Sequence, residues 1–126
     1  MESNLKKKFN DEGYLILSID DHDLIDKVNM DVDTILNKQS IKTNSKIYSY
    51  NESPRIVESY KKSLNCKKLA KHPLIVKTLK DIFDSTPLPF STINFLRSTQ
   101  QPLHSDYVHF GTIPELKLVG AWIALE

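Results

Sequence analysis

The chain has 126 residues, of which 40% are hydrophobic and 26% are charged. This length and composition are typical of a globular domain that can bury a core. The 17 lysines and arginines nearly balance the 16 acidic residues, for a net charge of +1. The length predicts a single domain over residues 1–126. Because a dedicated nucleic-acid-binding protein usually has a basic surplus, we expect no nucleic-acid partner.

The sequence also bears on the cellular compartment. Cys66 is the only cysteine, so no intrachain disulfide can form and a reducing compartment is expected. The stretch "MESNLKKKF" is basic but lacks the apolar run of a signal peptide, and no apolar stretch approaches the roughly 20 residues that span a bilayer. We therefore predict a cytoplasmic protein without a membrane partner, in which Cys66 is a buried or half-buried thiol.

In chain order, the patterns first predict a short strand and a long helix. Gly13 marks a turn, and the apolar run from Tyr14 to Leu17 predicts a strand. A helix is predicted to begin at Ser18 or Asp20. Apolar residues recur there at three- and four-residue spacing, namely Leu24, Ile25, Val28, Val32, Ile35 and Leu36.

The middle of the chain predicts one extended piece and two further helices. The extended piece runs through Tyr48 and Tyr50, and a turn over residues 51–54 leads into a helix with Pro54 in its first turn. "HPLIVKTLKDIF" predicts another helix that opens at a proline, with a buried side made of Leu74, Ile75, Leu79 and Ile82. The basic runs "LKKKF" and "KKSLNCKKLAKH" are interpreted as solvated helix faces. His22 and His72 are interpreted as surface or capping residues.

The sequence changes character after Pro87 and Pro89. "FSTINFLRST", "QPLHSDYVHF" and "KLVGAWIALE" are rich in β-branched and aromatic residues and alternate in places, as strands do. Residues 1–88 are therefore predicted to be mainly helical and residues 89–126 to form a sheet. The last predicted strand has no turn after it, so we expect the chain to be the N-terminal portion of a larger domain.

The most informative motif is the pair of His104 and Asp106. Residues i and i+2 of a strand face the same side, about 6.6 Å apart along the backbone, so their side chains can converge on one cation. Imidazole and carboxylate together suit Fe(II), which non-haem oxygenases hold with two histidines and one carboxylate. The alternative is an exposed histidine and aspartate at a strand end, since so short a motif also arises by chance.

Other catalytic arrangements fit less well. Ser105 lies between the two residues, but in a strand it faces the opposite side, whereas the members of a hydrolase triad must converge. His109 lies five residues from His104, so a continuous strand turns it away from the pair. The three glycines are too widely spaced for a phosphate-binding loop.

Residues 94–126 resemble the phytanoyl-CoA dioxygenase family of Fe(II)/2-oxoglutarate-dependent oxygenases. The stretches that carry the resemblance are "NFLRSTQQPLHSDYVHFGTIP" and "GAWIALE", and "FNDEGYLIL" is similar to the opening of the family. The resemblance implies an α+β fold in which N-terminal helices pack on a partial double-stranded β-helix, a cupin-like jelly roll. It also implies an Fe(II)/2-oxoglutarate-dependent dioxygenase that hydroxylates a small-molecule substrate.

The same resemblance implies roles for individual residues. His104 and Asp106 would be the first two ligands of Fe(II), with 2-oxoglutarate as co-substrate. Trp122 would line the co-substrate or substrate pocket, with core packing as the alternative, and Tyr107 and His109 would border the substrate entrance. Polar contacts near the pocket, or hydrogen bonds within the sheet and its turns, are expected from Asn94, Thr99 and Gln100.

The sequence departs from the family because two functional residues have no counterpart in it. These are the second histidine ligand and the arginine that binds the distal carboxylate of 2-oxoglutarate. We therefore predict that the 126-residue chain is inactive by itself, either as part of a longer oxygenase or as a chain whose site a separate chain completes. The other hypothesis is a non-catalytic binding or interaction module, whose sheet edge would be covered by homodimerisation.

Overall fold

The structure is a computed structural model that describes residues 4–39, 47–50, 53–96, 102–106, 110 and 117–126. Helices and strands are both present in the described residues, which confirms the α+β class. The elements in chain order are α1 (Asn4–Glu12), α2 (His22–Gln39), β1 (Ile47–Tyr50), β2 (Ser53–Val57), a 3₁₀ turn (Ser59–Lys61), α3 (Leu64–Ala70), α4 (Pro73–Phe83) and β3 (Ile93–Phe95).

Helix α1 is a surface helix that the apolar pattern does not predict. It has no buried residue, and on its surface Lys7 Nζ lies 2.6 Å from Asp11 Oδ2, one turn further along. Oppositely charged side chains four residues apart stabilise a helix. The helix ends at Gly13, whose φ of +80° places it in the left-handed region that glycine tolerates, and whose N–H donates to the carbonyl of Phe9 at 2.8 Å. The predicted turn at Gly13 is therefore confirmed.

The strand predicted from Tyr14 to Leu17 is wrong. Residues 14–21 belong to neither a helix nor a strand, and 87% of Ile16 is exposed. An apolar run becomes a strand only if a neighbouring strand pairs with its backbone, and no described strand pairs with this segment.

Helix α2 begins slightly later than the sequence predicts, at His22 instead of Ser18 or Asp20. Asp21 precedes the first helical residue, and its Oδ1 accepts a hydrogen bond from the N–H of Leu24 at 3.2 Å. A side-chain oxygen that accepts from the third helical N–H is the usual N-cap arrangement. The predicted apolar face of the helix is correct, since Val28 and Val32 are buried.

The hydrophobic core lies between α2, β2 and α3. Its buried members are Val28, Val32, Ile56, Cys66 and Leu69. Ile123 and Leu125, near the end of the chain, pack against this core and are partly buried, and Nδ2 of Asn29 in α2 donates to the carbonyl of Leu125 at 2.6 Å. The prediction that Cys66 is a buried thiol is confirmed.

The described residues form a sheet of three antiparallel strands in the order β1-β2-β3. The extended piece predicted through Tyr48 and Tyr50 is confirmed as β1, but the helix predicted to follow Pro54 is wrong, because these residues form β2. Pro54 fits this strand because, among the described pairs, it pairs on one side only. Its partner is Ser49 of β1, whereas the pairing of β2 with β3 begins at Arg55. A proline at such a one-sided position removes no central ladder hydrogen bond.

Helix α4 begins at Pro73, as the sequence predicts, and His72 is its N-cap. Nδ1 of His72 accepts from the N–H of Leu74 at 3.3 Å, which confirms a capping role for this histidine. Helix α1 packs on the far end of α4, where the rings of Phe9 and Phe83 meet edge to face with centroids 6.0 Å apart.

The strands predicted for the last part of the chain are found only at β3. Residues 102–106 and 117–126 belong to no strand, so those parts of the prediction are wrong as far as the described residues go. Residues 122–126 nevertheless alternate between exposed and half-buried, with Ile123 and Leu125 facing the core. A jelly roll stays a prediction. No described helix is both long enough and apolar enough to cross a membrane.

Candidate metal centre

His104 and Asp106 converge in the structure although their backbone is not a strand. Nε2 of His104 lies 3.3 Å from Oδ1 of Asp106. The other ring nitrogen, Nδ1, lies 2.7 Å from the carbonyl oxygen of Pro102. Because a carbonyl can only accept, Nδ1 must carry the hydrogen, and this hydrogen bond fixes the orientation of the ring.

The ring orientation decides what can lie between the two side chains. With Nδ1 protonated, Nε2 of a neutral ring presents a lone pair toward the Asp106 carboxylate. Two lone pairs that face each other at this distance repel, and a metal ion between them would remove this repulsion. A histidine that donates its other N–H to a backbone carbonyl is the usual arrangement of a metal ligand.

The separation of the two donor atoms also fits a metal ion. Metal–nitrogen and metal–oxygen bonds of about 2.1 Å at a right angle place neighbouring ligand atoms about 3 Å apart. The 3.3 Å between His104 and Asp106 is close to this value, so the pair can occupy two adjacent positions of an octahedral site. Two ligands leave such a site incomplete, and the described residues contain no group of three or more metal-ligating side chains.

A second histidine–aspartate pair shows that the distance between the two side chains does not by itself identify a metal site. Nε2 of His22 lies 3.4 Å from Oδ1 of Asp20, almost the same separation as at His104. The two pairs differ in their surroundings, because the side chains of His22 and Asp20 are 85% and 95% exposed, against 34% and 56% for His104 and Asp106. The lower exposure of both side chains and the anchored ring of His104 therefore distinguish the candidate centre from the second pair.

The carboxylate of Asp106 lies beside Gly120 and Trp122. A methyl group added at Gly120 would lie 3.9 Å from Oδ2 of Asp106 and 3.6 Å from Nε1 of Trp122. Both groups therefore border the space that the glycine leaves open. The indole ring of Trp122 stacks on Phe95 with an interplanar angle of 4° and centroids 5.6 Å apart, and the guanidinium of Arg55 lies 5.3 Å from the centroid of the Phe95 ring.

Trp122 and Asp106 thus have Gly120 as a common neighbour, and 73% of the surface of Trp122 is exposed. It does not occupy the buried core, which was the alternative role for this residue. An exposed aromatic face beside a metal pair can contact a ligand, and this role of Trp122 stays a prediction. The involvement of Phe95, Arg55 and Gly120 was missed, since they lie far from the His-x-Asp motif in the sequence.

Asn94 takes part in a hydrogen-bond network that joins β3 to the 3₁₀ turn. Its Oδ1 accepts from the hydroxyl of Ser59 at 2.5 Å, and the same hydroxyl lies 3.2 Å from Oγ1 of Thr92. Ser59 is buried, so the network satisfies polar groups inside the fold. This contact corresponds to the alternative role of Asn94, hydrogen bonding within the sheet and its turns. The remaining candidate residues, Thr99, Gln100, Tyr107 and His109, lie outside the described residues.

Comparisons of the chain with protein-family models, curated proteins and solved structures return no match. The resemblance to the phytanoyl-CoA dioxygenase family therefore rests on the sequence stretches alone.

Proposed function

We propose that this chain supplies two ligands, His104 and Asp106, to the Fe(II) site of a 2-oxoglutarate-dependent dioxygenase of the phytanoyl-CoA dioxygenase type. The observation that carries the proposal is the arrangement of the pair. The ring of His104 is held through Nδ1 by the Pro102 carbonyl, and Nε2 lies 3.3 Å from the Asp106 carboxylate. The expected fold is a cupin-like jelly roll, which the alternation of Ile123 and Leu125 with exposed neighbours supports.

The donor set suits the metal only in part. One imidazole and one carboxylate are two of the three protein ligands of a non-haem Fe(II) oxygenase. The proposal needs a second histidine and an arginine for 2-oxoglutarate, and no residue of this sequence is assigned to either role. When bound, Fe(II) and 2-oxoglutarate supply the oxidising chemistry of this class. The residues described here would hold the cation, fix the histidine ring and offer the face of Trp122 to a small-molecule substrate.

The fluorescence of Trp122 offers a direct test, because it is the only tryptophan of the chain and lies beside Asp106. Co²⁺ is a stable substitute for Fe(II) and quenches a nearby indole, whereas Zn²⁺, with its filled d shell, accepts the same ligands without this quenching. We expect weak, saturable quenching by Co²⁺ that Zn²⁺ competes away. His104→Ala or Asp106→Asn should weaken Co²⁺ binding at least about tenfold.

The His22–Asp20 pair provides the matched control. His22→Ala removes an imidazole at nearly the same distance from a carboxylate, and it should leave the quenching unchanged. Quenching that survives His104→Ala, or that disappears in His22→Ala, would overturn the assignment.

A protein-interaction module is the second candidate function. Large apolar side chains are exposed on β3 and in the segments around the candidate centre, among them Leu88, Phe90, Ile93, Leu96 and Leu103. Exposed apolar surface of this kind is typical of interaction sites. Absence of any saturable Co²⁺ quenching would favour this function over the oxygenase.

A further inference from the structure

A cavity lies on another part of the molecule, where the beginnings of α2 and α4 meet α3. It is largely open to solvent and has a volume of about 470 Å³. Lys67, Lys68 and Lys71 line it, together with His72 and Asp21. These lysines are exposed on and directly after α3, as expected for a solvated helix face, and all three line this one surface.

The positive charge of the cavity is only partly balanced. Among the described residues, Asp21 is the one carboxylate that lines it, and this side chain already accepts from the N–H of Leu24 as the cap of α2. Nδ1 of His72 accepts a hydrogen bond from the N–H of Leu74. Its Nε2 lies 3.8 Å from Oδ2 of Asp21. The lining therefore contains three lysines and one aspartate, and one oxygen of this aspartate is engaged as the cap of α2.

The backbone adds to the positive potential. The cavity is bordered by Asp21, directly before the first residue of α2, and by Pro73, the first residue of α4. The N-terminal end of a helix carries a partial positive charge. The partial charges of these two helix ends therefore add to the positive potential of the lysines.

The remaining wall is apolar and comes from Leu24, Leu64 and Pro73. Leu64 is 66% exposed, so its side chain is available to a ligand. The cavity thus combines a cationic side with an apolar side. It matches a small molecule that joins an anionic group to a partly apolar body.

We propose that this cavity binds a small phosphorylated metabolite, with the phosphate held by Lys67, Lys68 and Lys71. Lysine ammonium groups are compact charges with three donors each, and they commonly bind phosphate. The organic body of the ligand lies against Leu24 and Leu64. The proposal is independent of the candidate metal centre, because none of its residues belongs to that centre.

Adenosine 5′-monophosphate is a suitable probe, with adenosine as the probe that lacks the phosphate. Titration followed by ¹⁵N–¹H NMR should shift the amide signals of Lys68, Lys71 and Leu74 saturably with the monophosphate and not with adenosine. Replacement of all three lysines by glutamine should weaken binding at least about tenfold. The three side chains are exposed, so the variant should fold, as its NMR spectrum can verify.

A charge-matched variant separates a site from general attraction. Lys38→Gln/Lys77→Gln/Lys80→Gln removes the same charge from exposed positions that do not line the cavity, and it should retain binding. Asp21→Asn keeps a good N-cap residue and removes the opposing carboxylate, so binding should tighten about threefold. Equal weakening by the two triple variants, or no saturable shift with the monophosphate, would overturn the proposal.

Discussion

Ile56 in β2 and Trp122 beside the candidate metal ligands are both large apolar side chains, yet 2% of the first and 73% of the second is exposed. Ile56 belongs to the core cluster that α2 and α3 enclose. Trp122 has its stacking contact with one ring, that of Phe95. Burial of apolar surface therefore holds Ile56 in place, whereas local contacts hold Trp122.

The polar groups of the two regions differ in the same way. In the core region, the buried Ser63 hydroxyl donates to Asp31 at 2.5 Å and accepts from the N–H of Cys66 at 2.9 Å. In the His104–Asp106 pair, Nδ1 of His104 is hydrogen-bonded to the carbonyl of Pro102, and both side chains remain substantially exposed. Substitutions in the core should therefore change stability, whereas substitutions at the candidate centre should change ligand binding with little effect on stability.

The largest expected effect is that of Ile56→Ala. Loss of a fully buried isoleucine side chain removes apolar contacts and leaves a cavity, at a cost of about 2–5 kcal/mol in the free energy of unfolding. Trp122→Ala removes a larger side chain but only one aromatic stack, and should cost about 1 kcal/mol. Urea unfolding followed by circular dichroism measures both values. A similar loss in the two variants would show that the candidate centre is as much a part of the core as Ile56.

Ser63→Ala should have an intermediate effect. The substitution removes the N-cap of α3 and the hydrogen bond to Asp31, which together should lower the free energy of unfolding by about 1–2 kcal/mol. Asp31 would keep its bond from Nδ2 of Asn65 at 3.0 Å, which limits the loss. Ser85→Ala is the control, since this exposed hydroxyl donates only to the nearby carbonyl of Phe83. Equal midpoints for the two variants in urea would rule out a structural role for the Ser63 network.

Local sequence patterns correctly predicted the helices whose position depends on residues that lie close together in the chain. The three- and four-residue spacing located the buried face of α2, and Pro73 located the start of α4 with His72 as its cap. The same kind of reasoning failed at Pro54, because a proline suits both the first turn of a helix and a one-sided strand position. Pairing of β2 with β1 and β3, which places Ile56 in the core, decides between them.

Helix α1 shows a local pattern that was present in the sequence but was not used. Its opposite charges lie four residues apart, at Lys7 and Asp11 and again at Lys8 and Glu12, which is typical of a solvent-exposed helix. The apolar period alone did not reveal it, because the helix buries no residue. Charge spacing is therefore the pattern that identifies such a surface helix.

The candidate centre was predicted in its two central residues but not in its surroundings. Convergence of His104 and Asp106 was expected from the alternation of a strand, yet the structure achieves it without a strand. Gly120 lies near Asp106 and Trp122, Phe95 stacks on Trp122, and Arg55 lies over the ring of Phe95. No local spacing connects residues so far apart in the chain, so sequence patterns could not assign them.

The smallest expected effect concerns an exposed ion pair between Lys6 in α1 and Asp84 after α4. The hydrogen bond from Lys6, together with its charge, lowers the pKa of Asp84 below the ordinary value. A lowered pKa means that the native state favours the charged carboxylate, so the stabilisation is present near neutral pH and is lost as the pH falls below about 4. Lys6→Gln should raise the pKa of Asp84 toward its ordinary value, as an NMR titration of the carboxyl carbon would measure.

Lys8→Gln removes the same charge from a side chain whose partner is Glu12, and it should leave the Asp84 titration nearly unchanged. If both variants shift the pKa of Asp84 equally, the general charge of α1, and not the contact with Lys6, is its cause.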